Sequence, residues 1–99
     1  MKVFLSAAAL ADLEAIGDWI ARDNPARAAT FVRELRDACE ALGLSPERFA
    51  HVPRYSHLGI RRRVHGNYLI FYRVEVDMVD VLHILHGARD YEAILFPDG

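Results

Sequence analysis

Ile60-Arg61-Arg62-Arg63-Val64-His65, Gly66-Asn67, Tyr68-Leu69-Ile70-Phe71-Tyr72-Arg73-Val74-Glu75 is the stretch that decides the fold. Residues 68–74 are dense in β-branched and aromatic side chains, which fit a pleated, half-buried surface. A Gly-Asn pair between two such runs supplies the turn of a β-hairpin. Val76-Asp77-Met78 makes a second turn, and Val79 to Leu85 reads as a third strand. Residues 60–85 therefore predict a three-stranded antiparallel meander.

Upstream the period changes. Residues 44–59 read as irregular, with one short helical turn expected at Ser45-Pro46-Glu47 and loop residues after it. Before them, Ala28, Phe31, Val32, Leu35, Ala38, Cys39 and Leu42 recur at helical spacing, and Gly43 ends the run. Asn24 suits the cap of this helix and Pro25 its first position, where the missing N–H is no loss. An earlier helix starts near Ala7 behind the capping residue Ser6, with an expected apolar stripe of Leu10, Leu13, Ile16, Gly17 and Ile20. Asp23-Asn24-Pro25 joins the two helices so tightly that they must form an antiparallel hairpin. Val3-Phe4-Leu5 reads as a short opening strand. Downstream, His86 to Gly99 reads as one helical turn and an irregular end. The sum is an α+β chain: an N-terminal strand, an antiparallel helical hairpin, a three-stranded antiparallel meander and a short C-terminal tail. The hairpin should cover one face of the sheet and leave the other to solvent or a partner. No repeat or composition break divides residues 1–99, so one domain is expected.

Of the 99 residues, 53% are apolar and 26% charged, an ordinary globular composition. Cys39 is the only cysteine, which excludes an internal disulfide, and its apolar helical context suits an inert core thiol. Neither a signal peptide nor a long uncharged apolar run is present, so a cytoplasmic protein without membrane contact is expected. The net charge of −2 conceals a basic centre: residues 44–73 carry six arginines against Glu47 alone. Such a block suits a local anionic target or an acidic partner more than general nucleic-acid binding.

Two constellations carry possible chemistry. On a strand, Arg61 and Arg63 share a face and Arg62 points away. Their guanidinium forks suit phosphate or carboxylate, or else they protect an edge strand by charge. Replacing both is expected to leave the fold intact. The second constellation is His83-Ile84-Leu85-His86-Gly87-Ala88-Arg89-Asp90-Tyr91, in which histidine, arginine and tyrosine could move protons on RNA. The alternative is that these residues pair, cap and pack. His51, His57, His65, His83 and His86 lack metal-ligand spacing, so neither metal nor cofactor is expected.

Several blocks then resemble a known family. Ala9-Leu10-Ala11-Asp12-Leu13-Glu14-Ala15-Ile16 with Trp19-Ile20, Asn24-Pro25-Ala26-Arg27-Ala28-Ala29, and Phe31-Val32 with Glu34-Leu35 look like a ParE-type toxin of the RelE/ParE superfamily. So do Gly59-Ile60-Arg61-Arg62, Gly66 to Val74 and Val81-Leu82-His83-Ile84-Leu85-His86-Gly87-Ala88-Arg89-Asp90. The resemblance spans about residues 3–91. It implies the strand–hairpin–meander fold, a ParD-like antitoxin partner in a hetero-oligomer, DNA gyrase as target, and DNA contact only through the antitoxin. On this reading no residue is catalytic. Arg61, Arg63, Ile94, Leu95 and Phe96 are the candidate target contacts, since toxins of this type need their C-terminal ends; the alternative for Ile94-Leu95-Phe96 is a tail that folds back onto the sheet or hairpin and completes the core. Phe4, Leu13, Trp19, Phe31 and Leu35 are the candidate antitoxin contacts. The RelE branch instead cuts mRNA on the ribosome, and there Arg61, Arg63, His83, Arg89 and Tyr91 would be the catalytic set. Tyr68 stands where that branch has a further arginine. An inactive relative that only binds antitoxin is the third alternative.

Overall fold

A computed structural model describes residues 1–97; Asp98 and Gly99, the end of the expected irregular tail, lie outside the described residues. The elements are β1 (Lys2–Leu5), α1 (Ala7–Ala21), α2 (Pro25–Glu40), β2 (Ile60–His65), β3 (Tyr68–Val74), β4 (Met78–His86) and α3 (Tyr91–Leu95). The order is the one read from the sequence. Ser6 caps α1 through its side-chain oxygen, which accepts from the Ala9 N–H, and Asn24 caps α2 by accepting from Arg27. A turn of 3₁₀ helix over Ala41–Gly43 ends α2. The short turn expected at Ser45–Glu47 is not helical; a 3₁₀ turn forms at Ser56–Leu58 instead.

The sheet runs β1-β4-β3-β2, with β1 parallel to β4 and the other pairs antiparallel. The first strand thus joins the last, and β4 lies inside the sheet. The β3–β4 register shifts between Phe71 and Tyr72, whose partners are His83 and Val81, so Leu82 is an extra residue in β4. Gly66 makes the β2–β3 turn at φ +59°, a conformation that favours glycine.

The hairpin packs on one face of the sheet. Ala9, Leu13 and Ile16 of α1 and Leu35, Ala38 and Cys39 of α2 bury themselves against Ile70, Tyr72, Val79, Val81 and Ile84. At Gly17 a Cβ would lie 3.2 Å from Val32 Cγ2, so the glycine allows the two helices to approach closely. Leu10 departs from the expected stripe: it is exposed, and Ala9 takes the buried position.

The other face is not left open, which corrects the sequence reading. Val52 with Tyr91, Ile94, Leu95 and Phe96 packs over Ile60, Phe71 and Leu85 and forms a second apolar cluster. The loop before β2 is pinned there, with the Val52 N–H donating to the Ile60 carbonyl and the Arg62 N–H to the Ala50 carbonyl. Among the described residues no helix is long and apolar enough to cross a membrane.

Candidate functional site

β1 is only four residues long and reaches along β4 no further than Val81. Past that point other groups take over the outer edge of β4. The Ser6 N–H donates to the Val81 carbonyl at 3.0 Å and the Ser6 hydroxyl to the Leu82 carbonyl at 2.9 Å. One oxygen of the Asp12 carboxylate, reaching across from α1, accepts the Ile84 N–H at 2.8 Å and lies 2.8 Å from His83 Nδ1. A carboxylate offers acceptors, so His83 donates through Nδ1. Asp12 therefore ties α1 to the outer edge of β4.

Beyond Asp12 the edge of β4 opens into a groove of about 420 Å³. Asp12, Ala15, Ile16 and Trp19 of α1 form one wall, Ile84, Leu85 and His86 of β4 the other, and Tyr68 and Arg89 complete it. Trp19 is 64% exposed, and the Arg22 guanidinium lies 5.0 Å from its ring centre. His86 meets Tyr68 edge-on at 5.2 Å, and its Nδ1 accepts from the Ala88 N–H. The groove is apolar at its base and aromatic along its sides, with the Asp12 carboxylate and the Arg89 guanidinium both in its lining. Such a surface suits an apolar side chain.

The basic strand is turned inward, contrary to expectation. Arg61 and Arg63 do share a face, across from Tyr72 and Ile70, but it is the helical side of the sheet. Arg61 donates to the carbonyls of Glu47 and Phe49, the latter at 2.7 Å. Arg63 donates to the Ala38 carbonyl near the end of α2 at 3.0 Å and lies over the Phe49 ring. Their forks tie the α2–β2 loop and the end of α2 to the sheet. Arg62 points to the other face and donates to the Tyr91 hydroxyl at 3.0 Å.

The five residues of the ribonuclease reading do not converge. Arg61 and Arg63 face the helices, Tyr91 lies on the opposite face over Phe71, His83 is held by Asp12, and Arg89 lines the groove. Ile94, Leu95 and Phe96 are not a free end; they pack on the Val52, Ile60, Phe71 and Leu85 cluster. Phe96 stacks on Tyr55 with ring centres 3.7 Å apart, and the Tyr55 hydroxyl donates to Glu92. Of the expected antitoxin contacts, Leu13 and Leu35 are core residues at 4% and 0% exposure, which removes them from any docking surface. Phe31 is half-buried, beside Tyr68 and His65. Phe4 and Trp19 are exposed, at 50% and 64%.

Two buried groups have shifted protonation. Burial pushes the Cys39 thiol up to about 12, against a smaller lowering by Arg63. Burial also raises the Tyr72 hydroxyl, which donates to the Pro46 carbonyl at 2.7 Å. Neither group is ionised near neutral pH, so neither supplies a nucleophile there. Asp12 and Arg62 are the positions that sequence reading missed. For Asp12 a signal existed: it lies three residues after Ala9 and four before Ile16, on the margin of the buried stripe.

The family model described as the ParE toxin of the type II toxin–antitoxin system parDE matches residues 3–91. A search of curated proteins finds no significant match. Among solved structures, a chain of the chromosomal ParDE toxin–antitoxin system of P. aeruginosa superposes with a TM-score of 0.74 at 22% identity, covering 87% of this chain and 95% of that one. A chain of the RelBE2 toxin–antitoxin complex of Mycobacterium tuberculosis superposes with a TM-score of 0.59, also at 22% identity, over 86% of this chain and 95% of that one. At these identities the likeness is one of fold.

Proposed function

We propose a function from one premise: the chain belongs to the ParE toxin family of type II toxin–antitoxin systems. As the toxin of such a pair, it inhibits DNA gyrase by protein–protein contact and performs no covalent chemistry of its own. A ParD-like antitoxin neutralises it, and any contact with DNA passes through that partner. The observation that carries this reading is the family match over residues 3–91. The scattering of Arg61, Arg63, His83, Arg89 and Tyr91 over both faces of the sheet supports it, because general acid–base catalysis needs groups within hydrogen-bond reach of one reacting centre. The target surface includes the exposed sides of the 94–96 segment, and the antitoxin surface includes Trp19 and Phe4.

The test is controlled expression in a bacterial host, with the adjacent gene product as rescue. DNA breakage and induction of the SOS response, reversed by co-expression, are the expected result. Rapid arrest of translation with cleaved mRNA would replace this reading with that of a RelE-like ribosome-dependent endoribonuclease. Growth without inhibition at a high soluble level would leave an antitoxin-binding scaffold.

A further inference from the structure

Backbone φ is positive at three of the described positions: Gly59 at +73°, Gly66 at +59° and Arg54 at +72°. Glycine takes this conformation freely because it has no Cβ to meet the neighbouring carbonyl; an arginine does not. At Arg54 the demand comes from a turn. Pro53 is its second residue, and the Tyr55 N–H donates to the Val52 carbonyl at 3.1 Å. With the positive φ at Arg54, this is a type II turn, whose third position suits glycine or asparagine.

Nothing inside the chain offsets that strain. The Arg54 side chain is exposed, and among the described residues it makes no hydrogen bond, ion pair or cation–π contact. Both ends of the turn are pinned. Val52 is fully buried in the second apolar cluster, and its N–H donates to the Ile60 carbonyl. Tyr55 stacks on Phe96 at 3.7 Å, and its hydroxyl donates to Glu92 at 3.4 Å. Arg54 is thus held between two fixed residues, with its guanidinium in solvent. Strain that no internal contact offsets points to a contact made outside the chain.

The surroundings narrow that contact. From Arg48 to Arg63 the sequence has no carboxylate. Glu92 keeps its charge beside the Tyr55 hydroxyl but forms no ion pair with Arg54. Pro53, His57 and Leu58 are exposed close by in the chain, Leu58 at 42%. An exposed arginine among apolar neighbours fits a carboxylate on a protein surface, where arginine is a common anchor. A nucleic acid takes several exposed cations along its backbone, and Arg61, Arg62 and Arg63 are half-buried on the sheet.

We propose that Arg54 is a target-binding residue, whose guanidinium takes a carboxylate of the target protein. The stack of Tyr55 on Phe96 makes this turn and the exposed side of the 94–96 segment one surface. The inference rests on the reading of the chain as an inhibitor that acts by contact, and names the residue that anchors it.

Arg54→Gly and Arg54→Asn test it, with purified DNA gyrase as the probe. Both new side chains accept the positive φ, so each variant melts at the wild-type temperature or a few degrees above it. Both lose the guanidinium, so affinity for gyrase, and growth inhibition at equal soluble level, fall by about tenfold or more. Binding of the co-expressed adjacent gene product is unchanged. Variants that melt lower and inhibit only in proportion to their soluble level would make Arg54 a structural residue and overturn the proposal. Wild-type affinity for gyrase in both variants would overturn it too, and leave the gyrase reading standing. Lost binding to a DNA duplex with gyrase binding intact would assign the arginine to nucleic acid and overturn it as well. A wild-type chain that does not bind gyrase overturns the gyrase reading and this inference together.

Discussion

The carboxylate of Asp12 accepts the backbone N–H of Ile84 at 2.8 Å across a separation of 72 residues. It joins the first helix to the edge of β4 that β1 leaves uncovered and also holds His83. Asp12→Ala strips both donors of their acceptor. A lost bond to a charged group costs about 1.5–3 kcal/mol, and a urea melt of this variant should show a loss in that range. Asp12→Asn keeps one acceptor oxygen and should recover part of it. Equal stability of all three chains would mean that water replaces the carboxylate without cost.

Arg61 and Arg63 donate to the carbonyls of Phe49 and Ala38. The joint substitution to alanine is therefore expected to lower stability by about 1–3 kcal/mol, which for a domain of this size is a fall of several degrees in melting temperature. Growth inhibition should fall only as far as the soluble, folded fraction falls. A double variant with an unchanged melting temperature and lost toxicity would return these arginines to the target surface.

The buried Cys39 thiol, raised to about 12 from an ordinary value near 9.0, makes stability depend on alkaline pH. Its neutral form is favoured in the folded state, so above about pH 9 the unfolded chain binds fewer protons and stability falls as pH rises towards 12. Tyr72, raised by burial from 10.0, acts in the same direction at higher pH. Cys39→Ala should flatten the first part of this decline, read by denaturant melts between about pH 8.5 and 10. In the native protein the thiol should resist alkylation at neutral pH and react once urea unfolds the chain. Fast labelling of the folded protein would contradict the burial.

Deletion after Ala93 removes Ile94, Leu95 and Phe96 from the second apolar cluster. Full burial of one such side chain is worth about 1.5–3 kcal/mol, and these three are only partly buried, so a loss of a few kcal/mol is expected. The shortened chain should melt markedly lower, and its toxicity should fall further than its soluble level, because the exposed sides of the segment belong to the proposed target surface. A truncated protein with an unchanged melting temperature and no toxicity would assign the segment to target contact alone.

The elements were legible because local signals agreed: Ser6 and Asn24 at the caps, Pro25 at a first helical position, Gly66 in the hairpin turn. The pairing of β1 with β4 was not, since nothing in Val3-Phe4-Leu5 names a partner 76 residues away. The facing of the arginines was half legible. Strand alternation separates Arg62 from Arg61 and Arg63, but which side meets the helices depends on Ile70 and Tyr72 across the ladder. The second cluster was half legible: the apolar run Ile94-Leu95-Phe96 suggested a tail that folds back, but Val52 and Tyr55 sit in a stretch without periodicity, and the five-residue α3 is too short to show which face it covers. Of the groove, Trp19 was readable as an interface residue. The open edge of β4 was not, because it exists only where the four-residue β1 runs out.

One of the two inner strands of the sheet is also the last strand to be synthesised, since β4 separates β1 from β3 and occupies residues 78–86. While the chain is still being made, β1 and the hairpin have no strand to dock on, and the groove beside Trp19 lacks one wall. Long-range closure of this kind is slow and leaves the incomplete chain exposed. A nascent copy that lacks β4 does not yet present the finished groove. The closing of the sheet and the completion of the groove are thereby set by the same late event, the arrival of one strand.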